Sequence, residues 1–372
     1  MKSDPRKGEI QACIGRALGV LISSTGREPG GRFPVGPMSE HFDRYENRPP
    51  KSRELSLFRE LKGIFSVAKS RAPALRRQMI GIDIKEIRKR ADLVRIPVLR
   101  RGDLKELQQE QPPFGGFAAT RLGALKRLHV STNQLFQPEG QARDWWGAAR
   151  ALFAGGARKG DVVVNCLSYH LRPDGHMIES GAHALGCAVI SAGDGPIPEL
   201  LDVIHELQPR IFCGRADYLD QLLYAAKKSN ENISCIERAL LVGEAINAER
   251  RSQFAQQGVI VRQAYALPEV GVVAYETENG AGGVTDGMVV NEGIILEIVK
   301  PGENAPAAPG EIGEIVITRL NADYPLLRFG TGDLSALVSG PSECGRTNLR
   351  IKGILGKVQP LKAAPVSDGA DD

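Results

Sequence analysis

Two acidic side chains stand where a folded α/β chain can put them to chemical use. Glu269 lies in "QAYALPEVG" (Gln263 to Gly271), which leaves an apolar, β-branched run, and Asp333 lies in "YPLLRFGTGDLSAL" (Tyr324 to Leu337), in a Gly-rich turn. An ionised carboxylate presents only acceptor oxygens, so it can hold a cation or take hydrogen bonds from donors. Each also has a plainer reading: a glutamate at a strand end is usually a solvated rim residue, and an aspartate after Thr-Gly usually forms a turn. Tyr169 and His170 close another strand-like run and meet the same two readings, while Trp145 and Trp146 open a helix and read as packing.

The elements that must position these residues follow from periodicity. Asp161 to Tyr169, Cys187 to Ser191, Arg210 to Gly214, Arg238 to Gly243 and Val259 to Tyr265 are short apolar runs that read as strands. Helical stretches alternate with them: Met177 to Leu185, Ile197 to Leu207, Ala216 to Lys227 and Asn247 to Gln257. The alternation predicts a parallel sheet core with flanking helices, whose ligands bind beyond the carboxyl ends of the strands. After Tyr265 the short runs "VGVVAYE", "MVVN", "IILEIV", "IGEIVIT" and "PLLRF" have no helix between them, which predicts an appended antiparallel β region. Upstream, Leu57, Phe58, Leu61, Ile64, Phe65 and Ala68 recur at helical spacing, and a second charged helix is expected around Ile84 to Arg90. The expected divisions are a disordered leader over residues 1–37, a helical appendage over 38–110, a core over 111–356 and a divergent tail over 357–372.

Composition narrows the function classes. No window holds eighteen apolar residues in a row, so no membrane-spanning helix is expected, and a cytoplasmic protein is. Residues 1–110 carry 24 Lys and Arg against 14 Asp and Glu, yet their basic runs lack interleaved aromatics for base stacking. A solvated helical face is the preferred reading, and no nucleic-acid partner is expected. The six cysteines form no CxxC pair and the six histidines no metal signature, so buried free thiols are expected rather than zinc. No GxGxxG follows a strand, which disfavours a dinucleotide dehydrogenase.

"YALPE" resembles the Tyr-Gly-x-Ser/Thr-Glu motif of adenylate-forming enzymes, "RFGTGDL" resembles their Tyr/Phe-x-Thr-Gly/Arg-Asp motif, and "GEAI" (Gly243 to Ile246) stands at their adenine-site turn. "PFGGFAAT", "GDVVVNCLSYHL", "GAHALGCAV" and "CGRTNLRIKG" are similar to the phenylacetate–coenzyme A ligase branch of that superfamily. The resemblance implies an ATP-dependent ligase that joins a small carboxylic acid to AMP and then to coenzyme A. It implies Mg²⁺ on Glu269, ribose hydroxyls on Asp333, and adenine covered by Tyr265 beside Gly243 and Glu244. It also implies phosphates near Ser131 and Thr132 and the acyl group near Tyr169 and His170, and it allows a homodimer.

Two stretches depart from the family pattern. "STNQLFQPEG" (Ser131 to Gly140) keeps Ser131, Thr132 and Pro138 of the phosphate loop but lacks its glycines and its lysine. After "RIKGILG" the text becomes "KVQPLKAAPVSDGADD", so the family's C-terminal lid domain is expected to be absent. A non-catalytic nucleotide-binding pseudoenzyme or gene remnant is therefore the alternative to an active ligase.

Overall fold

The computed structural model describes residues 41–280 and 282–359. The expected leader, and residues 360–372 of the tail, lie outside the described residues. The described residues open on α1 (Pro50–Ala68) and α2 (Pro73–Gln78). Each opens on a proline, whose missing N–H belongs to a position with no helical acceptor anyway. α1 buries Leu57, Phe58, Leu61, Phe65 and Ala68, the face its period predicts. The helix expected around Ile84 to Arg90 is instead two 3-10 turns, Ile84–Glu86 and Arg90–Arg95. Asp83 accepts from the Lys85 N–H and Asp92 from the N–H groups of Arg88 and Lys89. Such local acceptors compete with the α-helical ladder.

Next come β1 (Leu99–Arg100), α3 (Arg101–Glu110), and a hairpin of β2 (Arg127–Val130) and β3 (Phe136–Glu139). The alternating core follows: α4 (Ala148–Ala154), β4 (Val162–Asn165), α5 (Asp174–Leu185), β5 (Ala188–Ser191), α6 (Ile197–Leu207) and β6 (Ile211–Gly214). It continues through α7 (Ala216–Ser229), β7 (Arg238–Val242), α8 (Ala248–Gln256) and β8 (Ile260–Leu267). The strands pair in parallel in the order β5-β4-β6-β7-β8, so the order reverses between β4 and β6. β4 is shorter than its sequence run. Asn165 ends it by turning its side chain to the Tyr169 hydroxyl, the Gly175 carbonyl and the Leu167 N–H, which leaves Tyr169 and His170 in the loop beyond.

The remaining strands are β9 (Gly271–Tyr275), β10 (Met288–Val290), β11 (Ile294–Val299), β12 (Gly313–Arg319), β13 (Leu326–Ser335), β14 (Leu337–Val338), β15 (Arg350–Ile351) and β16 (Gly356–Lys357). The sequence predicts one appended antiparallel region; the structure divides these strands between two sheets. Residues 268–270 make a turn tight enough for β9 to pair antiparallel with β8, and β10, β15 and β14 continue that edge into one nine-stranded mixed sheet. β11, β12 and β13 form the second sheet, with β1 parallel and β16 antiparallel to β13. Asp333 thus lies inside a strand, opposite Lys357, and not in the turn its glycines suggest.

One apolar layer seats Leu200, Ile204, Leu219, Leu222 and Phe254 from α6, α7 and α8 against Phe212 and Leu241 of the mixed sheet. Another packs α1 against Ile295 and Leu327 of the second sheet. No described helix is long and apolar enough to cross a membrane. Cys166, Cys187 and Cys213 are buried free thiols, and burial pushes Cys166 up to about 12, out of reach of ionisation at neutral pH.

Candidate active site

Glu269 sits on the turn between β8 and β9. Gly271 fixes that turn: its φ is +97°, and a Cβ there would fall 2.4 Å from the Trp146 carbonyl oxygen. The Glu269 carboxylate is only 2% exposed. Its Oε1 is 3.2 Å from Arg101 Nε, and Arg101 Nη2 donates to Oε2 at 3.4 Å. Burial raises the Glu269 pKa, Arg101 opposes that rise, and the negative charge of Asp333 adds to it. The backbone is clamped as well, since Arg319 of β12 donates to the Glu269 carbonyl at 3.2 Å and to the Trp145 carbonyl at 3.0 Å. The Arg319 guanidinium lies over the Trp145 ring, 3.7 Å from its centroid, and burial pushes it down to about 9, still charged at neutral pH.

Asp333 reaches the same place from the second sheet. It is 8% exposed, and its Oδ2 accepts the Tyr265 hydroxyl at 2.7 Å. Burial and the Asp333 charge hold the Tyr265 hydroxyl well above its ordinary range, so it stays protonated and donates. Arg101 acts on both Glu269 and Tyr265, and Asp333 acts on both as well. Tyr265 and Asp333 are thus bonded to each other, as Arg101 and Glu269 are, and the two pairs are neighbours.

Beside them a cavity of about 210 Å³ is lined by Gly243, Ala245, Gln263, Tyr265 and Lys352, among others. Gln263 shapes its wall: its amide donates to the Glu244 carbonyl at 2.6 Å and accepts from the Ile246 N–H at 3.0 Å. Gly243 supplies the positive φ, +117°, that turns the chain over the cavity. The Glu244 side chain faces outward onto Arg215, 2.9 Å away, and does not line the cavity. A second cavity, about 430 Å³, opens beside Arg101, Gly330 and Gly332.

The remaining expected residues are arranged differently. The β2–β3 turn folds on itself: the Ser131 hydroxyl accepts from the Leu135 N–H at 3.3 Å, and the Ser131 N–H donates to the Leu135 carbonyl at 2.9 Å. Thr132 is exposed and Leu135 is buried in the core. Tyr169 packs edge-on against His176, 4.9 Å between centroids, while His170 is exposed. Trp145 and Trp146 are core residues, as their sequence context predicts.

Sequence reasoning missed Arg101, Arg319 and Gln263. Arg101 stands in a basic run that reads as a solvated face, and no spacing signals a partner 168 residues away. As for metals, no group of three or more His, Cys, Asp or Glu side chains forms a cage among the described residues. A single buried carboxylate does fit Mg²⁺, which takes its other ligands from phosphates and water.

The AMP-binding enzyme family model matches residues 139–321. The chain is 30% identical over 318 residues to the phenylacetate–coenzyme A ligase of Thermus thermophilus, covering 81% of this chain and 69% of that one. It is 27% identical over 311 residues to the Escherichia coli protein of the same name, covering 79% and 69%. The chain belongs to this family of AMP-binding enzymes, in its phenylacetate–coenzyme A ligase-like branch. It spans between 61% and 69% of the lengths of the ligases it matches. A solved 2-hydroxyisobutyryl-CoA ligase, holding its acyl-AMP and CoA, superposes with a TM-score of 0.80 at 23% identity, covering 90% of this chain and 81% of that one; this likeness is one of fold.

Proposed function

We propose that the chain is the nucleotide-binding part of an ATP-dependent carboxylate–coenzyme A ligase. In this reading AMP lies with its base against Tyr265 and the Gly243–Glu244 turn and its ribose hydroxyls on Asp333. Glu269 takes Mg²⁺ with the triphosphate, which Ser131 and Thr132 approach from the hairpin. The acid enters from the side of Tyr169 and His170, and coenzyme A accepts the acyl group. No general base is required, because a carboxylic acid is already ionised at neutral pH. The work is orientation and charge compensation. The supporting observation is the neighbourhood of the two carboxylates: Asp333 on Tyr265 at 2.7 Å, beside a buried Glu269. Mg²⁺-dependent exchange of labelled pyrophosphate into ATP, driven by a panel of carboxylic acids, is the test. No exchange with any acid removes the reading.

A second reading, a nucleotide-binding protein without turnover, draws on the hairpin that hydrogen-bonds to itself at Ser131 and on Arg101 already paired to Glu269. It requires AMP binding by calorimetry together with silent exchange.

A further inference from the structure

Behind the β2–β3 hairpin lies a buried polar cluster that none of the roles above uses. Antiparallel pairing sets Arg127 opposite Glu139 and His129 opposite Gln137, so four polar side chains share one face. That face points inward, whereas Leu128 and Phe136 on the other face are exposed. The usual pattern is inverted.

Glu139 is fully compensated. His129 Nε2 lies 3.2 Å from its Oε2, and Arg127 Nη1 and Lys126 Nζ lie 2.8 and 3.3 Å from Oε1. Burial pushes this carboxyl up, but the His129 hydrogen bond and the two cations outweigh it and hold it at about 2. Gln137 is different. It is 1% exposed, and neither its Oε1 nor its Nε2 has a hydrogen-bond partner among the described residues. The same holds for Nδ1 of His176 on α5. The His176 ring is 5.4 Å from that of His129 and 4.9 Å from that of Tyr169. Burial, with Arg127 and His129 nearby, holds His176 below its ordinary range, so the imidazole is neutral at pH 7. Buried polar groups without partners are costly, and in folded proteins they are met by water or by a ligand.

Resting on the ligase reading, in which Tyr169 borders the acyl end, we infer that Gln137 and His176 recognise a hydroxyl group on the carboxylic acid substrate. A primary amide both donates and accepts, and a neutral imidazole can do either. The anion beside them is already matched by Arg127, Lys126 and His129, and Arg127 also reaches Glu179 at 3.7 Å. No uncompensated charge is left to call for an ion. The complement is a neutral group that donates and accepts at one atom, which is a hydroxyl.

The test compares pyrophosphate exchange with phenylacetate, its three ring-hydroxylated isomers and mandelate, and with hexanoate and its 2- and 6-hydroxy forms. Expected is a kcat/KM higher by about tenfold or more for one hydroxy acid over its parent. Gln137→Leu and His176→Phe should each draw that ratio toward one. Gln137→Leu removes atoms that lack partners, so its melting temperature should not fall, and His176→Phe keeps the ring shape as a second probe. Exchange that favours no hydroxy acid, or a ratio unmoved in both variants, overturns the inference while leaving the ligase reading in place. Silence with every acid removes both.

Discussion

Asp333→Asn separates the proposed ribose contact from the architecture that holds it. Asp333 Oδ2 accepts the Tyr265 hydroxyl at 2.7 Å, and burial keeps that hydroxyl protonated. Because Tyr265 must donate, the amide oxygen of the variant takes the Oδ2 place and the amide nitrogen falls where Oδ1 stood. The ribose then meets a donor in place of an ionised acceptor. One charge-assisted hydrogen bond contributes about 1.5–3 kcal/mol, so AMP should bind about 10- to 150-fold more weakly. Stability should barely change, since Tyr265 keeps its acceptor. Asp333→Ala differs in that it also orphans a buried hydroxyl, which should cost a further ~1–3 kcal/mol of folding free energy. Calorimetric titration with AMP and thermal melts of all three proteins supply the readouts. Equal AMP affinity in wild type and Asp333→Asn refutes the ribose placement, and an Asp333→Ala melt that matches wild type refutes the account of Tyr265.

Other perturbations follow from buried charges. Arg328 is fully buried and grips Glu297 through two bonds of 3.0 and 3.1 Å, so Arg328→Met should cost about 3–5 kcal/mol in urea titration. Adding Glu297→Leu should recover part of that loss; a double variant no more stable than the single one contradicts the argument. Glu139 has a folded pKa of about 2 against 4.5 for the free side chain, so its stabilisation is present above pH 4.5 and is lost as pH falls toward 2. Glu139→Gln should melt lower at neutral pH and show a shallower decline over that window; parallel curves would be evidence against it. Arg319→Met removes the donors to the Glu269 and Trp145 carbonyls and should raise the Mg²⁺ concentration for half-maximal exchange by about tenfold, with AMP affinity moved far less. Equal losses in both would mean a general structural role.

Much of the core was legible because burial on both faces leaves apolar runs of strand length between helical periods. α6 falls on the predicted Ile197–Leu207, and β5 to β8 fall within a residue or two of their runs. Three failures have specific causes. The charged segment at Ile84–Arg95 has helical composition, but Asp83 and Asp92 take up the N–H groups that a helix would use. Asp333 carries turn chemistry in its neighbours, yet tertiary pairing with β1 and β16 draws the whole segment into a strand. The inward face of the hairpin depends on register: a shift of one residue would turn Gln137 outward, and no apolar alternation fixes that register in the text. Glu269, Asp333 and Tyr265 of the candidate site stand in motifs that the sequence shows, but Arg101 and Arg319 carry no such signal, since each comes from a distant element.

Those partners explain how two sheets hold one site. Glu269 belongs to a turn of the nine-stranded sheet and Asp333 to a strand of the second, so neither sheet alone sets their separation. Three links do: Tyr265 to Asp333, Arg319 to the Glu269 carbonyl, and Arg101 to the Glu269 carboxylate. They differ in what they permit. Arg319 is buried, holds backbone oxygens and lies over the Trp145 ring, so it fixes the turn without using the carboxylate. Arg101 is partly exposed at the mouth of a cavity and meets Glu269 at 3.2 and 3.4 Å, distances at which a bond is weak. A divalent ion on Glu269 would therefore displace a loosely held cation from an anchored carboxylate. The buried charge stays compensated before and after the exchange, which avoids the cost of an unpaired anion in the core.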